Sequence, residues 1–303
     1  MKALASFVMR GYPQASLVAA ASALLSLLLP PFGLVSGAAI ALVTLRRGVR
    51  EGALLCLLAT LGVGLLGTLA LRTPWPALGT LLILWLPVWG LSALLRTFRS
   101  LSLTVAAAGV IGGLGVALIH LLVPDTEATW MELLSPLREV LAEDGAVDPQ
   151  AAEAVFRAVA RWMTGAFVAA LVLQWLLALF IGRWWQALLY NPGGFGQEFR
   201  ELRLHRILGI AGLALLLLIG LIRGPGLIPD LLVALMPLYL LQGLAVAHQV
   251  HRARGLHVGW LFGLYVLLAV FPPHAELLVA CVGLVDIWVD LRARSAPGAG
   301  TAS

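Results

Sequence analysis

Two carboxylates near the end of the chain have the spacing for paired charge chemistry. Asp286 and Asp290 are four residues apart in an apolar stretch, which puts both on one face of a helix. Like charges at this spacing repel each other, so we expect each carboxylate to pair with a cation from another part of the chain. The alternative is a functional site, so Asp286 and Asp290 are also candidate ligand-binding residues. The candidate partners are Arg183, Arg206, His248 and Arg252.

A glycine-rich turn at residues 191–196, NPGGFG, is the second candidate site. Such a turn ends a helix sharply, permits positive φ angles and can present backbone N–H groups to an anion. A nucleotide-binding loop is not indicated, because no lysine-containing phosphate motif and no strand accompany the turn. We expect the turn to pack its phenylalanines on the bundle, with an anionic headgroup or a phosphate ligand as the alternative. The candidate ligand-binding residues here are Asn191, Gly193, Gly194, Glu198 and Arg203.

Polar side chains inside the apolar segments are few. His248 and His251 share a helical face, but a metal site would need a third ligand that the sequence does not offer, so we expect no metal there. Gln174 and Gln242 lie near the middle of their segments. They either pair across helices or line a ligand cavity. Both glutamines and His248 are therefore candidate binding residues.

Enzyme chemistry has little support in this sequence. No segment centre carries Asp, Glu, Lys or Arg, the usual mark of proton relays in membranes. The chain contains no GxSxG, HExxH or paired-carboxylate motif, and its one lysine is Lys2. We therefore predict no catalytic residue and no cofactor. The net charge of +5 is not interpreted as nucleic-acid binding, because basic residues in such chains are mostly topology signals.

Composition sets the fold class. The chain has 303 residues, of which 61% are hydrophobic and 12% charged, and its mean hydropathy is +0.97. Long apolar runs are typical of transmembrane helices, so we predict an all-α, polytopic transmembrane helical bundle. Its apolar segments are 14–29, 33–45, 52–71, 77–95, 101–122, 162–182, 207–222, 229–247, 257–271 and 275–289.

Arginine placement predicts the topology. If every segment crosses and the N-terminus lies in the cytoplasm, 15 of the 20 basic residues fall on the cytoplasmic side. This bias predicts cytoplasmic N- and C-termini. Segments 33–45 and 257–271 are short, and each belongs to a hairpin with a Pro-Pro turn. Either hairpin could be re-entrant, so the number of membrane segments is eight to ten.

We predict one membrane domain over residues 1–303 with three polar regions. Residues 124–161 form an acidic extracytoplasmic loop with one amphipathic helix, and Asp148-Pro149 is a helix start that runs into the sixth segment. Residues 183–206 form a cytoplasmic loop. Residues 292–303 form a disordered tail.

Three blocks in the second half of the chain carry a resemblance. They are Gln186 to Phe195 with Glu198-Phe199, Gln242 to His248, and Gly283 to Asp286 with Asp290-Leu291-Arg292. In these blocks the chain resembles the YybS-like family, which consists of uncharacterised multi-pass bacterial membrane proteins. The resemblance implies no established activity. It implies a distant similarity to the substrate-binding (S) components of energy-coupling-factor transporters, which is an analogy at the level of fold.

Two functional hypotheses follow. The first is a component that binds a small hydrophobic or amphipathic solute in the bilayer, for transport, without its own ATPase. The second is a membrane scaffold in envelope or cell-division assembly that docks other membrane proteins. Small-residue faces at Ala108/Gly112 and Gly109/Gly113 allow close helix approach, inside the chain or against such a partner. An enzyme acting on lipid is a third, weaker hypothesis.

Overall fold

The structure is a computed structural model and describes residues 1–143, 148–222 and 224–293. The regular secondary structure of these residues is entirely helical. The helices are α1 Lys2–Val8, α2 Tyr12–Leu25, α3 Phe32–Arg46, α4 Val49–Leu71, α5 Trp75–Thr80, α6 Leu86–Phe98, α7 Leu101–Leu122, α8 Thr126–Leu133, α9 Ser135–Glu143, α10 Pro149–Tyr190, α11 Gly194–Arg200, α12 Arg206–Ile222, α13 Leu227–Arg254, α14 Gly259–Val270 and α15 His274–Val289, with a π-helical turn, Leu81–Trp85, between α5 and α6.

Five helices in the described part of the chain are long and apolar enough to cross a membrane. They are Val49–Leu69, Trp75–Phe98, Leu101–Leu122, Gln150–Tyr190 and Leu227–Arg254. The helices Phe32–Arg46, Arg206–Ile222 and Gly259–Val270 are apolar but shorter. Each of the ten predicted apolar segments overlaps a helix, but segments 14–29 and 257–271 extend beyond the ends of α2 and α14. The fold is therefore compatible with an integral membrane protein, as composition predicted.

The short helix α3 lies at the centre of the bundle. Its residues 38–43 are fully buried, and α2, α4, α6 and α10 pack around it. Helix α10 approaches α3 closely at Gly182, where an added Cβ would lie 2.6 Å from the Cβ of Ala41 and 2.9 Å from the carbonyl oxygen of Ala38. Small residues on both helices permit this contact. The segment that is short in the sequence is thus the most enclosed helix.

The π-helical turn beside α3 has a local cause. Pro87 has no N–H to donate to the carbonyl of Ile83, one turn earlier. The indole Nε1 of Trp175 donates to that carbonyl instead, at 2.6 Å. In the same turn Trp85 Nε1 donates to the Ser36 hydroxyl at 2.9 Å. The irregular turn therefore ties α6 to both α3 and α10.

Helices α13 and α15 cross in direct backbone contact. A Cβ added at Gly283 would lie 2.0 Å from the carbonyl oxygen of Tyr239 and 2.6 Å from the nitrogen of Gly243. A Cβ at Gly243 would lie 2.0 Å from the carbonyl oxygen of Val279. Only glycine fits at either position. The crossing brings the end of α15 close to the segment between α11 and α12.

The small-residue faces predicted on α7 are used inside the chain. An added Cβ at Gly109 would lie 2.4 Å from Leu238, and one at Gly112 would lie 2.5 Å from Val172. These glycines therefore seat side chains of α13 and α10. Docking of another membrane protein on this face stays a prediction.

The acidic loop is partly as predicted. Asp148 caps α10 with an Oδ1 that accepts from Gln150 N at 3.3 Å, and Pro149 is the first helical residue. Helix α10 then runs without a break into the sixth apolar segment, which confirms that part of the prediction. Two short helices, α8 and α9, replace the single predicted one because the chain breaks at Leu134. Asp144, one of the loop's acids, lies outside the described residues.

Candidate functional site at the basic end of the bundle

Most of the candidate residues lie at one end of the bundle. We call it the basic end and define it by Arg96, Arg99, Arg183, Arg203 and Arg292. Helices α6 and α10 run towards it, and α7 and α12 begin there. Short contacts hold it together: the Arg96 guanidinium and the Gln186 amide both donate to the carbonyl of Leu45, which closes the last turn of α3.

A buried polar network lies where α13, α15 and the segment after α11 meet. Asp286 Oδ2 lies 3.0 Å from the guanidinium of Arg292 and accepts from Gln242 Nε2 at 3.1 Å, and its Oδ1 accepts from Leu291 N at 3.0 Å. Gln242 Oε1 accepts from Leu204 N at 2.7 Å. Asp286, Arg292 and Gln242 are 5%, 6% and 0% exposed. This depth makes the charges costly unless they are paired.

Arg292 also clamps the chain segment that follows α11. Its guanidinium donates to the carbonyls of Arg200 at 2.8 Å and Leu202 at 2.7 Å. Burial lowers the pKa of the Arg292 guanidinium, and the neighbouring Asp286 opposes that shift. The start of the tail predicted to be disordered is thus an ordered part of the core at Arg292. Residues 294–303 of that tail lie outside the described residues.

A second ion pair lies at the rim of the network. Arg203 donates to both carboxylate oxygens of Asp290 at 2.8 and 2.9 Å, and its backbone N donates to the Ser102 hydroxyl at 2.9 Å. The hydrogen bond from Arg203 lowers the pKa of Asp290, with smaller contributions from the Ala293 N–H and from Arg292. The pair is substantially exposed, so its net stabilisation is small.

The prediction that both carboxylates pair with cations is confirmed, but the predicted partners are wrong. Asp286 pairs with Arg292 and Asp290 with Arg203. The structure places the predicted partner Arg183 on Glu198 instead. The four predicted cations lie within helices α10, α12 and α13. The arginines that pair instead lie in the turn after α15 and in the segment after α11.

The two glutamines do not meet. Gln242 bonds to Leu204 and Asp286. Gln174 lies on α10 beside Gly33, where an added Cβ would be 2.7 Å from its Nε2. Pairing between them is therefore wrong, because the two side chains serve different helix contacts. A ligand role for either stays a prediction.

The glycine turn packs as predicted. Gly193 has φ +88°, and Gly194 N donates to the carbonyl of Asn191 at 3.1 Å. After this turn α11 places Phe195 and Phe199 against Phe180 of α10, with ring centroids 5.6 and 5.8 Å away. These aromatic contacts confirm the packing role of the turn.

His248 belongs to the same aromatic group. Its ring meets the edge of Phe199 at 5.6 Å, Nδ1 lies 2.9 Å from the carbonyl of Leu244, and Nε2 lies 3.4 Å from the Tyr265 hydroxyl. Both ring nitrogens therefore face protein atoms. His248 acts here as a packing residue between α11, α13 and α14.

A polar cavity of about 530 Å³, which we call the Arg99 cavity, opens at the basic end. The Arg183 guanidinium donates to both carboxylate oxygens of Glu198, from Nη2 to Oε1 and from Nε to Oε2 at 2.9 Å. It also donates to the amide oxygen of Gln186 at 3.1 Å. Arg99 has a left-handed φ of +51° and forms no ion pair within the described residues. The residues that line the cavity are Leu45, Leu95, Arg96, Arg99, Arg183, Gln186 and Glu198.

No protein-family model, curated protein or solved structure matches this chain. The resemblance to the YybS-like family therefore stays a prediction that rests on the residues quoted for it. The chemistry of the site is argued from geometry alone.

A polar contact at the other end of the bundle, between a partly buried histidine and a buried carboxylate, was missed. Asp230, in the first turn of α13, is 2% exposed, and its Oδ2 lies 2.8 Å from Nε2 of His120 on α7. Its Oδ1 accepts from the backbone N of Gly165 on α10 at 2.9 Å, where an added Cβ would strike Asp230. Both ionisable residues lie within two or three positions of the same-side ends of their segments. That coincidence was visible in the sequence.

Replacing Asp230 tests the weight of this contact. Asp230→Ala leaves the Gly165 N–H and the His120 ring without their acceptor, so we expect a loss of about 1–3 kcal/mol in the free energy of unfolding. The measurement is unfolding in detergent micelles. Glu127→Ala is the matched control, because Glu127 forms only an exposed pair with Arg161, one turn from Gly165, and should cost less than about 1 kcal/mol. Equal losses in the two variants would contradict the assignment.

Proposed function

We propose that the protein is an integral protein of the bacterial inner membrane that binds an amphipathic solute with an anionic group at its basic end. In transport terms it would be a solute-binding component without its own ATPase. The observation that carries the proposal is the Arg99 cavity, whose walls hold three arginines against one carboxylate. Arginine guanidinium groups recognise carboxylate and phosphate groups with paired hydrogen bonds.

The three arginines of the cavity differ in the contacts that their side chains already make within the protein. Arg183 is only 14% exposed and is occupied by Glu198 and Gln186. Arg96 holds the carbonyl of Leu45. Arg99 is exposed and has no ionic partner among the described residues, so it is the cation free to meet a ligand. The other two arginines supply positive potential and a fixed wall.

An apolar cavity of about 430 Å³ lies around the next face of the same helix end. Trp184, Ala187 and Leu188 line it on α10, and Phe195 lines it on α11. Arg183 and Gln186 alternate with these residues along the helix, so the two cavities occupy neighbouring faces. An acidic head and an apolar body, side by side, match this arrangement. That supports an amphipathic solute over a purely hydrophobic one.

The scaffold hypothesis assigns the 183–206 segment to partner docking. Part of its apolar surface is directed inward: Leu202 and Leu204 are buried, and Phe195 and Phe199 pack on Phe180. Trp184 and Tyr190 of the same segment are exposed, so apolar surface is also left for a protein partner. The scaffold therefore stays the second candidate function.

Orientation and family membership belong to the same proposal. The basic end faces the cytoplasm, because clustered arginines are retained on that side of bacterial membranes. The N- and C-termini are then cytoplasmic, and α8 and α9 lie outside. The two Pro-Pro hairpins start and end on the cytoplasmic side in this orientation. We also assign the chain to the YybS-like family, on the three sequence blocks that resemble it.

The experiment is native mass spectrometry of protein purified with its own lipids. We expect the unmodified chain to retain an acidic amphiphile, and Arg96→Gln/Arg99→Gln to retain at least about tenfold less, since each charge-assisted contact contributes about 1.5–3 kcal/mol. Arg50→Gln/Arg254→Gln is the control, because both side chains are exposed arginines outside the cavity lining. Equal retention in the two double variants would contradict the proposal, and a stoichiometric protein in place of the solute would favour the scaffold.

A further inference from the structure

A second polar cavity, of about 380 Å³, lies on another face of α11 between that helix, α13 and the turn after α15. We call it the Arg252 cavity. Four arginines and two glutamine amides line it, and the single carboxylate in its wall, Glu201, accepts from Gln197 at 2.9 Å. The lining cations and amides are Gln197, Arg200, Arg203, Gln249, Arg252 and Arg292.

Two of the four arginines, Arg203 and Arg292, are held in place by hydrogen bonds and ion pairs within the protein. Arg292 is fixed by Asp286 and by the carbonyls of Arg200 and Leu202, and its Nε is buried without a hydrogen-bond partner. Arg203 is fixed by Asp290 and Ser102. Two guanidinium groups are therefore already oriented at the wall before any ligand arrives.

The other two arginines of the cavity are available to bind an anion. Neither Arg200 nor Arg252 forms an ion pair in the ranges that the structure describes. Arg200 is half-buried at the end of α11, and Arg252 is exposed in the last turn of α13. Their side chains come from different elements and share one cavity, so an anion between them would join the two elements.

We propose that the Arg252 cavity binds a phosphate group. Positive charge exceeds negative charge in its walls, the amides add neutral donors, and guanidinium groups match phosphate oxygens with paired hydrogen bonds. The phosphate belongs to a soluble ion or to a lipid headgroup, and both present the same oxygens. The site is separate from the Arg99 cavity, so it does not depend on the proposed solute.

The test for a soluble ion is titration of the full chain, in zwitterionic detergent, with inorganic phosphate at constant ionic strength. We expect saturable binding with a Kd of about 1 mM or lower. Arg252→Gln and Arg200→Gln should each raise the Kd by about tenfold, because each removes a charge-assisted contact. Arg254→Gln, an exposed arginine on the same helix outside the cavity, should change it less than about twofold.

The test for a lipid source uses nanodiscs of phosphatidylcholine with or without phosphatidylglycerol. Preferential retention of phosphatidylglycerol that Arg252→Gln removes and Arg254→Gln preserves would place the site on a headgroup. Retention of inorganic phosphate with the same variant pattern would place it on a soluble ion. Absence of saturable binding from both sources, or equal effects of Arg252→Gln and Arg254→Gln, would overturn the proposal. Arg252 forms no ion pair within the described residues, so the thermal unfolding midpoint of Arg252→Gln should match that of the unmodified chain, which separates loss of binding from loss of fold.

Discussion

Gly283→Ala will cost more than about 3 kcal/mol in the free energy of unfolding, because the added Cβ meets backbone on two sides. It would lie 2.0 Å from the Tyr239 carbonyl oxygen and 2.6 Å from the Gly243 nitrogen. A flexible side chain could move away, but main-chain atoms of α13 can do so only if the whole crossing opens. The measurement is the thermal unfolding midpoint in detergent, followed by size-exclusion chromatography.

Gly263→Ala is the control for this prediction. Gly263 lies in the interior of the neighbouring helix α14, and an added Cβ there meets nothing within 4 Å. The same chemical change should then stabilise the helix by about 0.5–1 kcal/mol, because alanine loses less backbone entropy than glycine. The two variants should shift the midpoint in opposite directions. Equal shifts would mean that α13 and α15 are not in backbone contact.

Asp286→Asn will cost about 3–5 kcal/mol, because it leaves the buried guanidinium of Arg292 without its counter-charge. Asparagine has nearly the same shape, so packing is retained and the loss reports the charge. Asp290→Asn is the matched control, since its pair with Arg203 is largely exposed and should contribute less than about 1 kcal/mol. The measurement is again unfolding in detergent, near neutral pH.

The double variant Asp286→Asn/Arg292→Gln tests whether the two charges stabilise the fold as a pair. It removes both charges of the buried pair, so it should cost less than the sum of the two single losses. A residual cost remains, because Arg292 also holds the carbonyls of Arg200 and Leu202. If Asp286→Asn proves as mild as Asp290→Asn, the buried pair does not carry the stability assigned to it.

What the sequence predicted well was local. Each of the ten apolar segments is mostly helical, because hydropathy and helical propensity act within one segment. The Asp148-Pro149 helix start was equally local, since a cap needs only the next few residues. The phenylalanines around the glycine turn could be placed because the turn itself bends α11 back onto α10.

What the sequence did not predict depended on which elements meet. The partners of Asp286 and Asp290 follow from the docking of the turn after α15 on the segment after α11, which no periodicity encodes. Gly243 and Gly283 are separated by a full helix, so their shared crossing gives no short motif. The π-helical turn arises from Pro87 together with an indole almost ninety residues away. His120 and Asp230 each lie near the end of an apolar segment in the sequence, but their contact depends on how α7 and α13 pack.

Helix α10 connects contacts at the two ends of the bundle. Its 42 unbroken residues make a rod of about 63 Å, roughly twice the thickness of a hydrocarbon core. Gly165 holds Asp230 at one level and Arg183 holds Glu198 about 27 Å further along the same rod. A tilt of only about 5° about the middle of the rod displaces each tip by about 3 Å. The acidic loop and the arginine cavities therefore lie towards opposite ends of one continuous helix, so a tilt of this helix would move both.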